Sequence, residues 1–154
     1  MSSNLVDFIN KLKEMNWPQE FKEKLKLGNI ESNVGIATLW SYQDVVAKNI
    51  DNSNYCVMGN FYDKQNGLEP LIRNCLANPN LRYIILVGND KSGSKDTVVS
   101  FFEDGFKDGF VVDTKVRLPK TIPDSALELL RKNVKLIDLT SVIKNLNDRK
   151  NMLK

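Results

Sequence analysis

The sequence predicts an α/β fold, an open and mainly parallel sheet with helices on both faces, and three observations carry that reading. From residue 34 onward, short apolar runs alternate at least four times with stretches of helical periodicity. The run Tyr83 to Val87 (YIILV) is apolar throughout, as a strand covered on both faces of a parallel sheet must be. Polar segments carrying glycine follow two of the strands and precede helices, which is where strand-to-helix loops stand in such folds. A chain of 154 residues suffices for one domain with a sizeable core. The expected architecture is therefore a three-layer, Rossmann-like sheet.

The elements follow in order. Leu5, Phe8, Ile9 and Leu12 have helical spacing, and Ser2 or Ser3 can cap that helix. Asn16 and Trp17 interrupt it before Pro18, which suits the first turn of a second helix carrying Phe21 and Leu25 and ending near Gly28. Residues 1–28 are thus expected as an N-terminal helical segment, joined by the polar connector 29–33 to an α/β domain spanning 29–140. Within it, Val34 to Trp40 and Tyr55 to Met58 are expected strands, and Leu68 to Ala77 a helix closed by Asn78-Pro79. Tyr83 to Val87 is the central strand, followed by a helix over Thr97 to Phe102 that stops near Gly105. Val111-Val112 is a brief strand, Pro123-Asp124 opens a helix carrying Ala126, Leu127 and Leu130, and Val134 to Leu139 is the last strand. Thr140 or Ser141 would cap a C-terminal helix over 141–154.

Composition excludes several chemistries. The chain has no histidine, which removes the commonest general base near neutral pH and the commonest transition-metal ligand. Serine–histidine and cysteine–histidine catalysis cannot be assembled from this chain alone, and neither a catalytic residue nor a metal ligand is assigned. The net charge of +3 is small, and the lysines are interleaved with acids and amides, so no nucleic-acid surface is expected. Cys56 and Cys75 lie in apolar surroundings without a CxxC pair, which fits reduced thiols packed in a core. The N-terminus lacks the apolar stretch of a secretory signal, and no run approaches the roughly 20 apolar residues of a membrane helix. A soluble cytoplasmic protein without membrane association is expected.

Two loops are candidates for ligand binding, because ligands of open α/β sheets lie beyond the carboxyl ends of the strands. The first runs from Gly59 to Gly67, with Asn60, Asn66 and, just beyond, Glu69 offering polar groups. Its glycines permit close backbone approach and positive φ, although for this loop taken alone a long surface turn is the favoured reading. The second runs from Gly88 through Asn89, Asp90, Ser92, Gly93 and Ser94 to Lys95. It resembles a phosphate-binding loop in composition and setting, yet Ser94 follows Gly93 and Lys95 comes one place late, so the G-x-x-x-x-G-K-[ST] pattern fails. Nucleotide hydrolysis is not expected. An anion held on backbone N–H groups and a helix dipole, or a turn without a ligand, are the two remaining readings.

The stretch NGLEPLIRNCLANPNLRYIILVGNDKSGS, with IPDSALELLRKNVKLIDL further on, resembles the soluble domain of the A subunit of tetrahydromethanopterin S-methyltransferase. The matching positions are Asn66, Gly67, Glu69, Asn74, Ala77 to Asn80, Arg82, Gly88, Gly93 and Ile122 to Leu139. The resemblance implies a Rossmann-type domain that binds a corrinoid, with a histidine directly after the second loop glycine as cobalt ligand. Ser94 occupies that place here, and a neutral hydroxyl is a poor cobalt ligand. The S-G-S loop is similar instead to histidine-less variants in the N-terminal region of archaeal thymidylate synthase-like proteins. That likeness implies an accessory domain working with a thymidylate synthase-type catalytic domain or subunit, which moves a one-carbon unit from a reduced pterin or folate to dUMP. The cofactor is left unassigned, with a reduced pterin or folate as candidate ligand and cobalamin disfavoured. The alternatives are a purely structural interaction domain and a corrinoid-binding methyltransferase subunit.

Overall fold

A computed structural model describes residues 5, 24–41, 43–61, 63–90 and 93–141. The helices expected over the first 23 residues and over 142–154 lie outside the described residues, Leu5 excepted, which packs against the main core.

Among the described residues the sheet has five strands: β1 (Lys26–Leu27), β2 (Val34–Ala37), β3 (Val57–Gly59), β4 (Tyr83–Leu86) and β7 (Lys135–Asp138). Their spatial order is β1-β3-β2-β4-β7. β3, β2, β4 and β7 are parallel, with Ile36 opposite both Met58 and Ile85, and β1 runs antiparallel to β3 at the edge. The α/β class and mainly parallel sheet match the expectation. Among the described residues four α-helices connect the strands: α1 (Gln43–Ala47), α2 (Lys64–Ala77), α3 (Ser94–Glu103) and α4 (Asp124–Asn133). A small hairpin, β5 (Phe106–Lys107) and β6 (Phe110–Val111), lies between α3 and α4.

The connections explain the layers. From β2 the chain moves one way to β3, and from β3 it returns past β2 to β4 and on to β7. Right-handed crossovers in opposite directions place their helices on opposite faces. Accordingly Val46 of α1 joins Ile36, Tyr55, Met58 and Val87 in one cluster. On the other face Leu68 and Ile72 of α2, Val98 and Phe101 of α3, and Leu127 and Leu130 of α4 pack with Ala37, Ile84 and Leu86. Cys56 and Cys75 are buried in this larger cluster as free thiols, as expected.

Several boundaries differ from the sequence reading, each for a local reason. Lys26–Leu27, expected at the end of a helix, is an edge strand, because Gly28 donates its N–H to Cys56 and Asn29 donates to Asn52 and Tyr55. The run from Val34 leaves the sheet after Ala37, where Leu39 takes φ of 52° in a turn. α2 begins at Lys64 rather than Leu68, capped by the Asp63 carboxylate on the N–H groups of Gln65 and Asn66. α3 begins at Ser94 rather than Thr97, straight after Gly93 in the left-handed conformation. Val111 forms a strand with Phe110 rather than Val112, paired with Phe106–Lys107 across an Asp108-Gly109 turn in which both residues have positive φ.

Candidate functional site

The parallel order brings the ends of β3, β2 and β4 to one rim. Both glycine-bearing loops therefore stand on the same side of the sheet, and β2 and β4 mark the point where successive crossovers diverge. That seam is closed by its own hydrogen bonds. Trp40 donates its N–H to the Asn89 carbonyl at 3.0 Å, and Asn89 donates its N–H to Ser41 Oγ at 3.0 Å. The Asn60 amide donates to the carbonyls of Leu39 and Ser41, tying the loop after β3 to the loop after β2. Thr38 is completely buried, donating through Oγ1 to the Ser41 carbonyl at 3.1 Å. Gly88 has φ of 98°, and a Cβ there would collide with the Thr38 carbonyl. Asn60, Gly88 and Asn89 thus hold the rim together.

The remaining expected residues divide between the two helix starts. Asn66 donates its side-chain amide to Asp63 at 2.8 Å, completing the cap of α2. Three hydrogen bonds hold the Asp63 carboxyl below the usual carboxylate range, the largest effect coming from the Asn66 N–H and the next from Gln65. Glu69 forms an ion pair with Arg73 at 3.1 Å, and Arg73 reaches Thr121 Oγ1 at 2.7 Å. At α3, Asp90 accepts the Ser94 N–H at 3.1 Å, and Ser94 is fully buried. Lys95 reaches toward the end of β7, 3.6 Å from Asp138 and 3.3 Å from Thr140 Oγ1. Burial raises the Asp138 carboxyl pKa, but hydrogen bonds from Thr140 and the Lys95 charge outweigh it and leave the pKa low. Ser92 lies outside the described residues. Gly59 and Gly67 do not have the positive φ allowed for in the sequence reading; they are strand and helix residues, and Gly88 and Gly93 take that role.

Beside the closed seam lies an open cleft of about 660 Å³. Its walls are Lys64 and Gln65 at the start of α2, Gly93, Asp96 and Thr97 at the start of α3, and the segment 113–116. Gln65 anchors that segment from two sides, donating through Nε2 to the Arg117 carbonyl and accepting the Arg117 N–H, each at 2.9 Å. Among the expected residues that are described, only Gly93 lines the cleft. Gly59, Asn60 and Gly67 line a separate apolar cavity of about 90 Å³ between the sheet and α2. Lys64, Gln65, Asp96, Thr97 and Asp113 to Val116 line the cleft without having been expected there. The first four lie in stretches that read as a loop or a core helix, and the last segment reaches the cleft only through the hairpin that precedes it.

The donor set does not suit a cobalt ligand of the imidazole type. No histidine exists in the chain, and among the described residues no three His, Cys, Asp or Glu side chains are grouped to hold a metal ion. Burial pushes the Cys56 thiol up to about 11 and raises Cys75 as well, so neither is a thiolate near neutral pH. No helix among the described residues is long and apolar enough to cross a membrane.

Comparison with known proteins gives one consistent result. The family of tetrahydromethanopterin S-methyltransferase A subunits matches residues 10–152. The second-form A subunit of tetrahydromethanopterin S-methyltransferase from Methanothermobacter marburgensis is 26% identical over 133 residues, covering 82% of this chain and 70% of that protein. The A subunit from Methanococcus maripaludis is 29% identical over 133 residues, covering 82% of this chain and 54% of the relative. Its counterpart from Methanocaldococcus jannaschii is 28% identical over 129 residues, covering 80% and 52%. The chain thus spans about half the length of the latter two.

Proposed function

The chain belongs to the family of tetrahydromethanopterin S-methyltransferase A subunits, and on that premise we propose that it is a histidine-free accessory domain of one-carbon transfer. It binds a small ligand at the rim of its sheet without a corrinoid. It works beside a thymidylate synthase-type enzyme that transfers a one-carbon unit from a reduced pterin or folate to dUMP. The observation that carries this reading is Ser94. It stands directly after Gly93, where the family resemblance places a cobalt-binding histidine, and it is buried at the head of α3. A neutral hydroxyl in that position offers no strong bond to cobalt. The open cleft one helix away from the seam favours a ligand-binding role over a purely structural one.

Two measurements test the proposal together. Hydroxocobalamin mixed with the protein should elute wholly apart from it on gel filtration, and an immobilised thymidylate synthase-type protein should retain the chain. Co-elution of a corrinoid absorbance band with the protein overturns the corrinoid-free reading. Failure of the thymidylate synthase-type protein to retain the chain overturns the partnership.

A further inference from the structure

We propose that the cleft between α2 and α3 holds the phosphate group of a small phosphate monoester, bound by Thr97, Lys64 and the open amides of α3. This rests on the ligand-binding role proposed for the rim and names the chemistry of its ligand. Four features of the cleft converge on it.

Thr97 is the most telling. The residue is only 3% exposed and lines the cleft, and its hydroxyl has no hydrogen-bond partner among the described residues. No fully enclosed side-chain oxygen or nitrogen lacks a partner among the described residues, so this hydroxyl opens onto the cleft. Secondly, Gly93 supplies no side chain to cap α3, and Asp90 occupies the Ser94 N–H. The amides of Lys95 and Asp96 have no side-chain partner among the described residues, leaving donors at the positive end of the helix.

Thirdly, Lys64 sits at the first position of α2, and its ammonium lies 4.0 Å from where a Gly93 Cβ would stand. The cation is therefore placed between the positive ends of two helices, an arrangement that an anion in the cleft relieves. Neither Lys64 nor Lys115, across the cleft, forms an ion pair among the described residues. Finally, the cleft is far larger than a phosphate ion, and it carries the carboxylates of Asp96 and Asp113 in the same walls. These acids suit hydrogen-bond donors on the rest of the ligand and would repel a ligand that is anionic throughout. An ammonium, a hydroxyl and helix amides lining one cleft offer three separate donors, one for each outer oxygen of a phosphate monoester, where a carboxylate has only two oxygens.

Amide NMR titration with inorganic phosphate, dUMP, deoxyuridine and glutarate tests this without any methyl donor or partner protein. Phosphate and dUMP should shift the amides of Gly93, Asp96 and Thr97, and dUMP should bind more tightly than phosphate. Thr97→Val, which keeps the side-chain shape, and Lys64→Gln, on the surface, should each weaken phosphate by about tenfold while leaving the remaining spectrum unchanged. Deoxyuridine or glutarate producing the same shifts at equal strength overturns the assignment. So does an absence of shifts at these amides, or unchanged affinity in both variants. A corrinoid bound to the protein would instead defeat the accessory reading, whatever the phosphate titration shows.

Discussion

Two glycines with the same backbone sign separate conformational strain from steric collision. Gly88 and Gly109 both have positive φ, 98° and 83°. A Cβ at Gly88 would strike the Thr38 carbonyl and Ser41, whereas nothing lies within 4 Å of one at Gly109. Gly88→Ala should therefore cost about 3 kcal/mol or more, and Gly109→Ala about 1 kcal/mol, measured as urea unfolding midpoints. The thiols give a second test at this scale. With Cys56 pushed from its ordinary value near 9 to about 11 by burial, the folded state keeps a proton that the unfolded chain releases. Stability should hold below about pH 9 and decline as pH rises toward 11, beyond which this group adds no further loss. At pH 8 iodoacetamide should leave both thiols of the native protein unmodified and label them in urea. Burial of the cysteines was legible in the sequence, because Cys56 lies in a strand-like apolar run and Cys75 in the middle of an expected helix. Thr97 was not, since its helical spacing with Phe101 marks it as core and nothing in the sequence shows that its hydroxyl faces a cleft.

The helix starts were the least legible elements, and they border the site. Asp63 and Gly93 each stop the preceding loop, but the first turns they open contain Lys64, Gln65, Asn66, Ser94 and Lys95, whose polarity resembles a loop. Only the apolar spacing from Leu68 and Thr97 onward announced a helix. The Asp108-Gly109 hairpin, by contrast, carried a readable signal, an Asp-Gly pair between Phe106-Lys107 and Phe110-Val111. The sequence reading kept only its second strand, since two-residue strands have too little periodicity to register. Asp63→Ala should cost about 1–2 kcal/mol by thermal or urea unfolding, because three hydrogen bonds at the start of α2 depend on that carboxylate. Its pKa lies below the ordinary value, so its contribution is present above about pH 4 and fades as pH falls through the lowered value. The Asp63→Ala variant should accordingly show a weaker acid dependence of stability than the parent as pH falls below about 4.

The strongest whole-molecule inference came from the uniformly apolar Tyr83–Val87 run, and β4 indeed lies inside the sheet between β2 and β7. Strand order was beyond the sequence, because it is set by the direction of each crossover rather than by any one segment. Nor did periodicity anticipate that β1 would extend the sheet, since a two-residue strand held by backbone pairing with β3 and an ion pair from Lys26 to Asp44 has no pattern of its own. Phe101 ties α3 to the small hairpin: its ring is fully buried, edge-on to Phe102 at 5.1 Å and stacked on Phe106 at 6.5 Å. Phe101→Ala should lower stability by about 3–5 kcal/mol, a large part of what a domain this size possesses, while unfolding stays a single transition in calorimetry. The sutured seam between Trp40 and Asn89 has a mechanical consequence. A sheet riveted at its divergence cannot gape like a clamshell, so the ligand proposed for this rim would enter a notch already formed to one side.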